Sequence, residues 1–444
     1  EIWIVPTHNP EGLRVVHGYE ENGYWIQDES YRKNKRDVNY NGIFDYVVGV
    51  GNDSDGVDLN RNYDFNWIFG DGPYEYDNGS ASYQSHYDYY KGEAPFSESE
   101  AQAIRDLAIR ENFLLSIAYH SSRSGNVSEK VIFSWLWEDE KPAPDLEVIS
   151  ELGIEIANKI IREDGGGGYL PVAHGTKKGN AHDWFYSQTG TFQFLIEVGT
   201  QNMQPDDVSV IDGIVDKNLN GAFYMLNRSI GYTSGDLGAP ANQVTGIVTD
   251  AMSGNPIINA QVRILEMDGG MLKPRLTDDV GRYRRLLSNG TYHVEFKAEG
   301  YETYTQSINS SSGSISNRDI ELQPRNEFIF DINIHLPENY ESQVNVEFST
   351  QLNNYTFSLN SGLNSIPLLA DDYDVKIYGD GLFSKIFSYG LDQNSLIQIT
   401  MDYAETLIED DFSNLENWQI INGDWVIQFG NLDTQMDMIY NEGA

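Results

Sequence analysis

The sequence predicts an α/β domain followed by all-β sandwich domains, and two observations support this fold class. Up to about Tyr232, short apolar runs such as Ile2–Val5 alternate with longer stretches that have helical spacing. Beyond a segment rich in Gly, Ala and Pro at 234–242, short alternating strands separated by turn residues take over. The change of pattern predicts a domain boundary in this segment.

Two helices are predicted in the first domain. Ser97–Glu100 has the Ser-x-x-Glu pattern of a capping box, and apolar residues at helical spacing follow over Ala101–Arg110. A second helix is predicted over Asp145–Ile161. After the boundary, strands of a small β-sandwich are predicted to begin near Gln243, Ala260, Gly281 and Gly290.

A chain of 444 residues exceeds the usual size of a domain built around a single hydrophobic core, so several domains are predicted. We assign 1–232 to the α/β domain, 233–242 to a linker, 243–324 to a first β-sandwich, 325–405 to a second β domain and 406–444 to the start of a further domain. The last segment contains Trp418 and Trp425, for which core packing and a carbohydrate-binding face both remain open.

The composition limits the classes of partner. A net charge of -39 repels phosphate backbones and anionic lipid surfaces, so nucleic acid and membranes are excluded as main partners. The chain has no Cys, so a metal would have to be bound by His, Asp or Glu. No apolar run has the roughly 20 residues needed to span a bilayer. The high negative charge favours a saline setting and hence a secreted or extracellular protein.

Four polar clusters follow predicted strands. Asn60-Arg61 combines an amide with a guanidinium group, which suits binding of a carboxylate. Arg32 lies upstream in a basic cluster, and His120 and Glu197 each end an apolar run downstream. Taken alone, Asn60-Arg61 is more typical of a surface turn with a salt bridge, and His120 of a buried core histidine, than of a functional site.

In this order, the clusters resemble the zinc carboxypeptidases of the carboxypeptidase A and B type. Asn9–Gly12 resembles the Asn-Pro-Asp-Gly turn of that family, and Asp183-Trp184 matches its Asp-Trp pair. The resemblance covers residues 1 to about 230 and implies a mixed sheet flanked by helices, with removal of C-terminal amino acids from peptides and proteins. Residues 243–324 resemble the regulatory-like β-sandwich that follows many such catalytic domains.

The resemblance implies a role for each of three residues. His120 would be a zinc ligand, a neutral imidazole supported by a further hydrogen-bond acceptor. Glu197 would be the general base that activates the attacking water and then protonates the leaving amine. Arg32 would stabilise the developing oxyanion.

The same resemblance implies the residues that bind substrate. Asn60 and Arg61 would bind the terminal carboxylate, which explains action at a chain end. His182 lies where related enzymes select the last side chain, and with Lys177-Lys178 nearby we expect a mild preference for acidic C-terminal residues. Tyr169 follows four glycines and is the candidate for the family's mobile tyrosine.

The chain departs from the family pattern in its zinc motif. The family takes two further zinc ligands from a His-x-x-Glu motif well before the Arg32 cluster, and we expect this sequence to start after that motif. His8-x-x-Glu11 and His17-x-x-Glu20 match the His-x-x-Glu pattern, but we interpret both matches as coincidences. Two alternatives follow: an inactive family member that binds C-terminal carboxylates, or a secreted adhesive protein in which the β domains bind a surface.

A second metal site is a further hypothesis. Asp37–Asp45 places oxygen-bearing side chains at alternate positions before a glycine, as calcium loops of the EF-hand type do. The usual acidic twelfth position is Val48. Calcium binding and a solvated polar turn are both compatible with this pattern.

Overall fold

The protein is described by a computed structural model over residues 1–49, 55–69, 88–121, 128–137, 140–175, 179–199, 207–311, 313–404, 425–428 and 431–434. The chain divides into two compact units, Glu1–Pro324 and Arg325–Ala444. Lys177, Lys178 and Trp418 lie outside the described residues, and Trp425 is described only as part of a strand backbone.

The first unit contains all the described helices and sixteen of the described strands. The helices are α1 (Pro10–His17), α2 (Ser99–Glu111), α3 (Leu146–Lys159), α4 (Ala181–Trp184) and α5 (Val208–Ile230). The strands before the first sandwich are β1 (Tyr19–Glu21), β2 (Tyr24–Ile26), β3 (Leu115–Ser121), β4 (Lys130–Phe133), β5 (Leu136–Trp137), β6 (Lys141–Pro142), β7 (Leu170–Ala173) and β8 (Phe192–Val198).

The central sheet of the α/β part is mixed, as the sequence predicted. Its strand order is β3-β8-β4-β7, in which β3 runs parallel to β8, β8 antiparallel to β4, and β4 parallel to β7. Helices α3 and α5 pack against each other, and α3 also covers β4 and β7. The apolar face of α3, including Val148, Leu152 and Ile156, is buried in the main core.

The two predicted helices are present, but one begins differently. α3 agrees with the predicted range to within two residues at its C-terminal end. The N-cap of α2 is Glu98 rather than Ser97, and no side chain caps the helix. The Ser97 hydroxyl instead donates to Glu98 Oε1 and accepts from Asn62 Nδ2. The predicted capping box is therefore wrong.

The apolar run Ile2–Val5 does not form a strand. These residues are coil, and Ile2 and Ile4 are 70% and 82% exposed. A short apolar run has high β propensity, but a strand also needs a hydrogen-bonded neighbour. The described residues offer this segment no such neighbour.

The first β-sandwich consists of two sheets with the orders β11-β10-β13-β14 and β12-β9-β15, and β16 also pairs with β9. The strands predicted near Gln243, Ala260, Gly281 and Gly290 correspond to β9, β10, β12 and β13. The strands are β9 (Gln243–Asp250), β10 (Gln261–Ile264), β11 (Arg275–Leu276), β12 (Arg282–Leu286), β13 (Gly290–Lys297), β14 (Tyr304–Ser310), β15 (Ile315–Asn317) and β16 (Ile320–Leu322).

This sandwich shares its core with the α/β part. Buried side chains of the central sheet, such as Phe194, and of the sandwich, such as Val262, belong to one continuous cluster. Arg285 of β12 forms an ion pair with Asp145, the residue that precedes α3. The Ser288 hydroxyl donates to Glu151 of α3 at 2.8 Å. The sandwich is therefore packed as a structural part of the first unit.

The second unit is an all-β structure with its own core. Its sheets have the orders β20-β17-β23 and β19-β18-β21-β22, and a separate hairpin joins β24 to β25. Phe330, Phe348 and Ile377 are among the buried core residues. The strands are β17 (Glu327–His335), β18 (Val344–Ser349), β19 (Asn354–Leu359), β20 (Gly362–Leu369), β21 (Asp371–Tyr378), β22 (Lys385–Leu391), β23 (Ser395–Thr400), β24 (Trp425–Gln428) and β25 (Asn431–Thr434).

Candidate active site

The register of two parallel strands brings His120 and Glu197 together. The two residues are direct pairing partners in β3 and β8, next to the C-terminal end of each strand. Because paired residues of neighbouring parallel strands project from the same face of a sheet, both side chains lie on one face. A potential metal ligand and a potential general base are thus adjacent.

The environment of Glu197 favours a proton acceptor with a shifted pKa. Its Oε2 atom is buried and has no hydrogen-bond partner in the described structure. Burial raises the pKa of the carboxyl to about 7, while the positive charges of Arg32, Arg61 and Lys130 oppose the shift. A general base is most effective with a pKa near the working pH.

His120 is held as a neutral imidazole. Burial and the positive charge of Arg32 lower its pKa to about 4, and Asp58 partly opposes this shift. A neutral ring with an available nitrogen lone pair is the form that binds a metal ion. The charge state of His120 therefore fits its predicted role.

Arg32 is fixed beside the strand ends by Asp58. Its Nη2 atom lies 2.7 Å from Asp58 Oδ2, and the Asp58 side chain is only 4% exposed. The Arg32 guanidinium also packs over the Tyr89 ring, 4.7 Å from its centroid. Burial alone would raise the pKa of Asp58, but Arg32 and Arg61 hold it below its usual value. Both groups are charged, as the predicted oxyanion role of Arg32 requires.

Asn60 and Arg61 form a short 3-10 turn whose shape is set by Asp58. The second carboxylate oxygen of Asp58 accepts the Asn60 amide hydrogen at 3.0 Å. Asn60 Oδ1 accepts the Ala181 amide hydrogen at 3.0 Å, and Arg61 Nη1 donates to Asn180 Oδ1 at 2.8 Å. The turn is therefore joined to the start of α4.

Gly179 allows this close approach. Its φ is +65°, and a Cβ there would lie 2.8 Å from the Arg61 carbonyl oxygen. Glycine adopts this left-handed conformation without steric cost, whereas other residues rarely do. The segment before α4 can therefore pack directly against the Asn60-Arg61 turn.

His182 does not fit its predicted contact with a substrate side chain. It is 1% exposed, and its ring packs edge-on against His174 with 4.9 Å between the ring centroids. Burial lowers the pKa of His182 to about 3, although Asp183 opposes the shift. A buried, neutral ring supplies no positive charge for an acidic C-terminal residue, so His182 is corrected to a supporting position.

Tyr169 does not fit the predicted mobile residue. It is 2% exposed, and its hydroxyl accepts the Gly199 amide hydrogen at 3.2 Å. Asn218 Nδ2 approaches the same hydroxyl at 3.4 Å. The glycines do form a loop before it, but the aromatic ring is packed in the main core. Tyr169 is therefore removed from the candidate site.

The described residues include one of the three zinc ligands that the resemblance implies. His120 fits one ligand by its charge state and its position beside Glu197. Among the described residues, the only group of three histidine or acidic side chains with converging ligand atoms is His174, His182 and Asp183, which does not include His120. The two remaining ligands implied by the resemblance are therefore not supplied by the described residues.

The calcium hypothesis is not supported. Asp37 accepts backbone amide hydrogens from Asn41 and Gly42, and Asp45 accepts side-chain hydrogen bonds from Asn39 and Asn41. The oxygens of this loop are thus used within the loop itself, as in an ordinary polar turn. The described residues bring no three carboxylates together at this loop.

Three supporting residues were missed by the sequence reasoning: Asn180, Tyr89 and His174. Asn180 contacts Arg61, Tyr89 packs against both arginines, and His174 approaches Asp183. Asn180 and His174 could have been identified from the sequence, because both lie shortly before the Asp183-Trp184 pair on which the resemblance rests. Tyr89 lies far from that pair in the sequence.

The fold brings a candidate metal ligand and a candidate general base together at the strand ends of an α/β sheet. The model of the zinc carboxypeptidase family matches residues 1–221, and that of the carboxypeptidase regulatory-like domain matches 243–323. The first 221 residues of the chain belong to the zinc carboxypeptidase family.

Curated relatives match over limited lengths. Human carboxypeptidase D is 30% identical over 138 residues, which are 31% of this chain and 9% of that protein. Gamma-D-glutamyl-L-diamino acid endopeptidase 1 of Lysinibacillus sphaericus is 24% identical over 216 residues, 49% of this chain and 46% of that protein. The chain thus spans less than half the length of either relative.

Solved structures of carboxypeptidases are also similar to this chain. Carboxypeptidase A from Helicoverpa armigera gives a TM-score of 0.32 at 21% identity, covering 48% of this chain and 47% of that one. Bovine thrombin-activatable fibrinolysis inhibitor, in complex with tick carboxypeptidase inhibitor, gives 0.34 at 20% identity, covering 49% and 65%. In the described part of this chain, no helix is long and apolar enough to cross a membrane.

Proposed function

We propose that this protein is a zinc-dependent metallocarboxypeptidase that hydrolyses the C-terminal peptide bond of peptides and proteins. The observation that supports this most is the direct pairing of His120 with Glu197 across β3 and β8, with the charge of Arg32 acting on both. Family membership of residues 1–221 points to the same chemistry.

The Asn60-Arg61 turn binds the terminal carboxylate of the substrate. Arg61 is oriented by Asn180, and the Asn60 amide is oriented by its bond to the Ala181 backbone. A guanidinium held in this way can donate two parallel hydrogen bonds to a carboxylate, which an internal peptide segment cannot satisfy. The turn thus directs the reaction to the chain end.

Glu197 and Arg32 carry out the acid-base and electrostatic parts of the reaction. Glu197 accepts a proton from the attacking water and delivers it to the leaving amine. Arg32, held by Asp58, donates to the oxyanion that develops on the scissile carbonyl. His120, together with ligands outside the described residues, would hold the zinc ion, which would supply Lewis-acid polarisation of the scissile carbonyl.

Release of terminal amino acids from N-blocked dipeptides, measured with the purified chain in added zinc, tests this proposal. We expect release that depends on a free terminal carboxylate, and a loss of about 10²–10⁴-fold in Glu197→Gln. The exposed Glu302→Gln is the matched control and keeps full activity. Unchanged release in Glu197→Gln would overturn the assigned base.

A second candidate is a catalytically inactive protein that binds C-terminal carboxylates. It is favoured because the described residues bring no group of three histidine or acidic side chains together at His120. This reading predicts no release of amino acids but binding of free-carboxylate peptides that is lost in Arg61→Ala. The adhesive role of the β domains stays a prediction, tested by binding of the whole chain to polysaccharide.

The setting and the preferred substrate are part of the proposal. The charge of -39 supports a secreted, extracellular protein. The preference for acidic C-terminal residues now rests on Lys177 and Lys178, since His182 is neutral. Glu-, Leu- and Arg-ended dipeptides compared side by side would refute it if Glu were cleaved slowest.

A further inference from the structure

Three potential metal ligands converge beneath the Asn60-Arg61 turn. His174 Nδ1 lies 3.5 Å from Asp183 Oδ2, and His182 Nε2 lies 3.6 Å from Asp183 Oδ1. One ligand atom from each residue can be chosen so that all three lie within 4.8 Å of one another. A tetrahedral ion with bonds of about 2.1 Å separates its ligand atoms by about 3.4 Å, so little movement is needed to bind one.

The buried atoms of this group lack hydrogen-bond partners. Both ring nitrogens of His182 and Oδ1 of Asp183 are buried without a partner in the described structure, although His182 is 1% exposed and Asp183 is 2% exposed. Buried polar side-chain atoms are nearly always satisfied by protein, water or an ion. Asp183 Oδ1 and the ring nitrogens of His182 are therefore available to bind an ion.

The backbone around the group holds it in place. His174 follows β7, and its amide donates to the Phe133 carbonyl at 2.8 Å. His182 and Asp183 belong to α4, whose first amide is bound by Asn60. The Ser134 hydroxyl also donates to the His182 carbonyl. These bonds come from three separate segments, so the site is formed by the fold and not by a single loop.

We propose that His174, His182 and Asp183 bind a divalent transition-metal ion, at a site separate from His120. Two imidazoles and one carboxylate form a ligand set typical of Zn²⁺ and similar late transition metals, and it leaves one position open. The Asp183 carboxylate offsets the charge of the ion, which Arg61 nearby opposes. An ion bound at His174 Nδ1 would take the lone pair that faces Asn180 Nδ2 at 3.4 Å, so its binding would also change the contacts of Asn180, which orients Arg61.

Titration with Co²⁺, which has a visible spectrum that reports its coordination, tests this proposal. The metal-stripped 444-residue chain is titrated by calorimetry and absorption, beside His174→Gln, Asp183→Asn and His120→Gln. The matched control is His293→Gln, an exposed histidine that pairs with Glu266. At this site we expect one Co²⁺ with a low-coordinate spectrum that is retained in His120→Gln, and an affinity at least ~10-fold lower in His174→Gln and Asp183→Asn.

If the site is separate from His120, His120→Gln and the control His293→Gln bind this Co²⁺ with the affinity of the original chain. If the fully buried Asp183→Asn fails to fold by circular dichroism, His174→Gln decides, since the His174 side chain is 21% exposed. An affinity in His174→Gln within twofold of the original chain overturns the proposal. Loss of the same Co²⁺ in His120→Gln also overturns it. Neither outcome depends on hydrolysis, so the proposed activity is tested separately.

Discussion

Replacement of Arg285 by alanine tests whether the first β-sandwich stabilises the α/β part. Arg285 Nη2 lies 3.3 Å from Asp145 Oδ1, and the two side chains are 10% and 0% exposed. Removing one partner of a buried ion pair leaves an uncompensated charge and costs about 3–5 kcal/mol. Asp145 keeps the hydrogen bond from the Tyr186 hydroxyl at 2.8 Å, so we expect a loss near the lower limit, about 3 kcal/mol.

Urea unfolding followed by tryptophan fluorescence measures this loss, because six of the eight tryptophans precede residue 325 and report on the first unit. The control is Arg282→Ala, whose ion pair with Asp278 is largely exposed and contributes less than about 1 kcal/mol. Asp145→Asn should recover part of the loss in Arg285→Ala by removing the unpaired charge. The reasoning is refuted if Arg285→Ala costs no more than the control.

Three further changes test the site. Arg61→Ala should raise the Michaelis constant for free-carboxylate dipeptides about 10- to 100-fold, as expected for loss of a charged hydrogen bond, with no effect on amidated peptides. Gly179→Ala should destabilise the first unit by about 1–3 kcal/mol and raise the same constant, because its φ of +65° disfavours a side chain; a normal Michaelis constant would argue against this coupling. Tyr169→Phe should cost about 1 kcal/mol in urea unfolding and leave the Michaelis constant unchanged, whereas a tenfold rise would restore its role at the substrate.

The sequence was sufficient to predict the strand-end residues of the site. His120 and Glu197 each end an apolar run, and the ends of parallel strands meet at one edge of a sheet. Their direct pairing could not be predicted, because register between strands far apart in sequence depends on packing and not on local pattern. The resemblance identified the two residues, and the structure shows that they are paired across β3 and β8.

The errors arose where tertiary contacts override local signals. The four glycines before Tyr169 do form a loop, but the ring itself is buried by contacts with Gly199 and Asn218, which are distant in sequence. Ser97 has a capping sequence, yet its hydroxyl is used by Glu98 and Asn62. Short-range patterns predict a propensity, and long-range partners decide whether it is realised.

Helix α4 connects the candidate site with the first β-sandwich. At its start, Asn180 holds Arg61; at its end, the chain continues to Tyr186, whose hydroxyl bonds Asp145 and whose carbonyl accepts from Arg275 of β11 at 2.9 Å. The Arg275 guanidinium also lies 5.4 Å from the centre of the Tyr186 ring. A change at the sandwich interface can therefore displace α4 and, with it, the group that orients Arg61. The regulatory-like sandwich thus supports the position of α4 through these contacts, which a simple spacer between domains could not do.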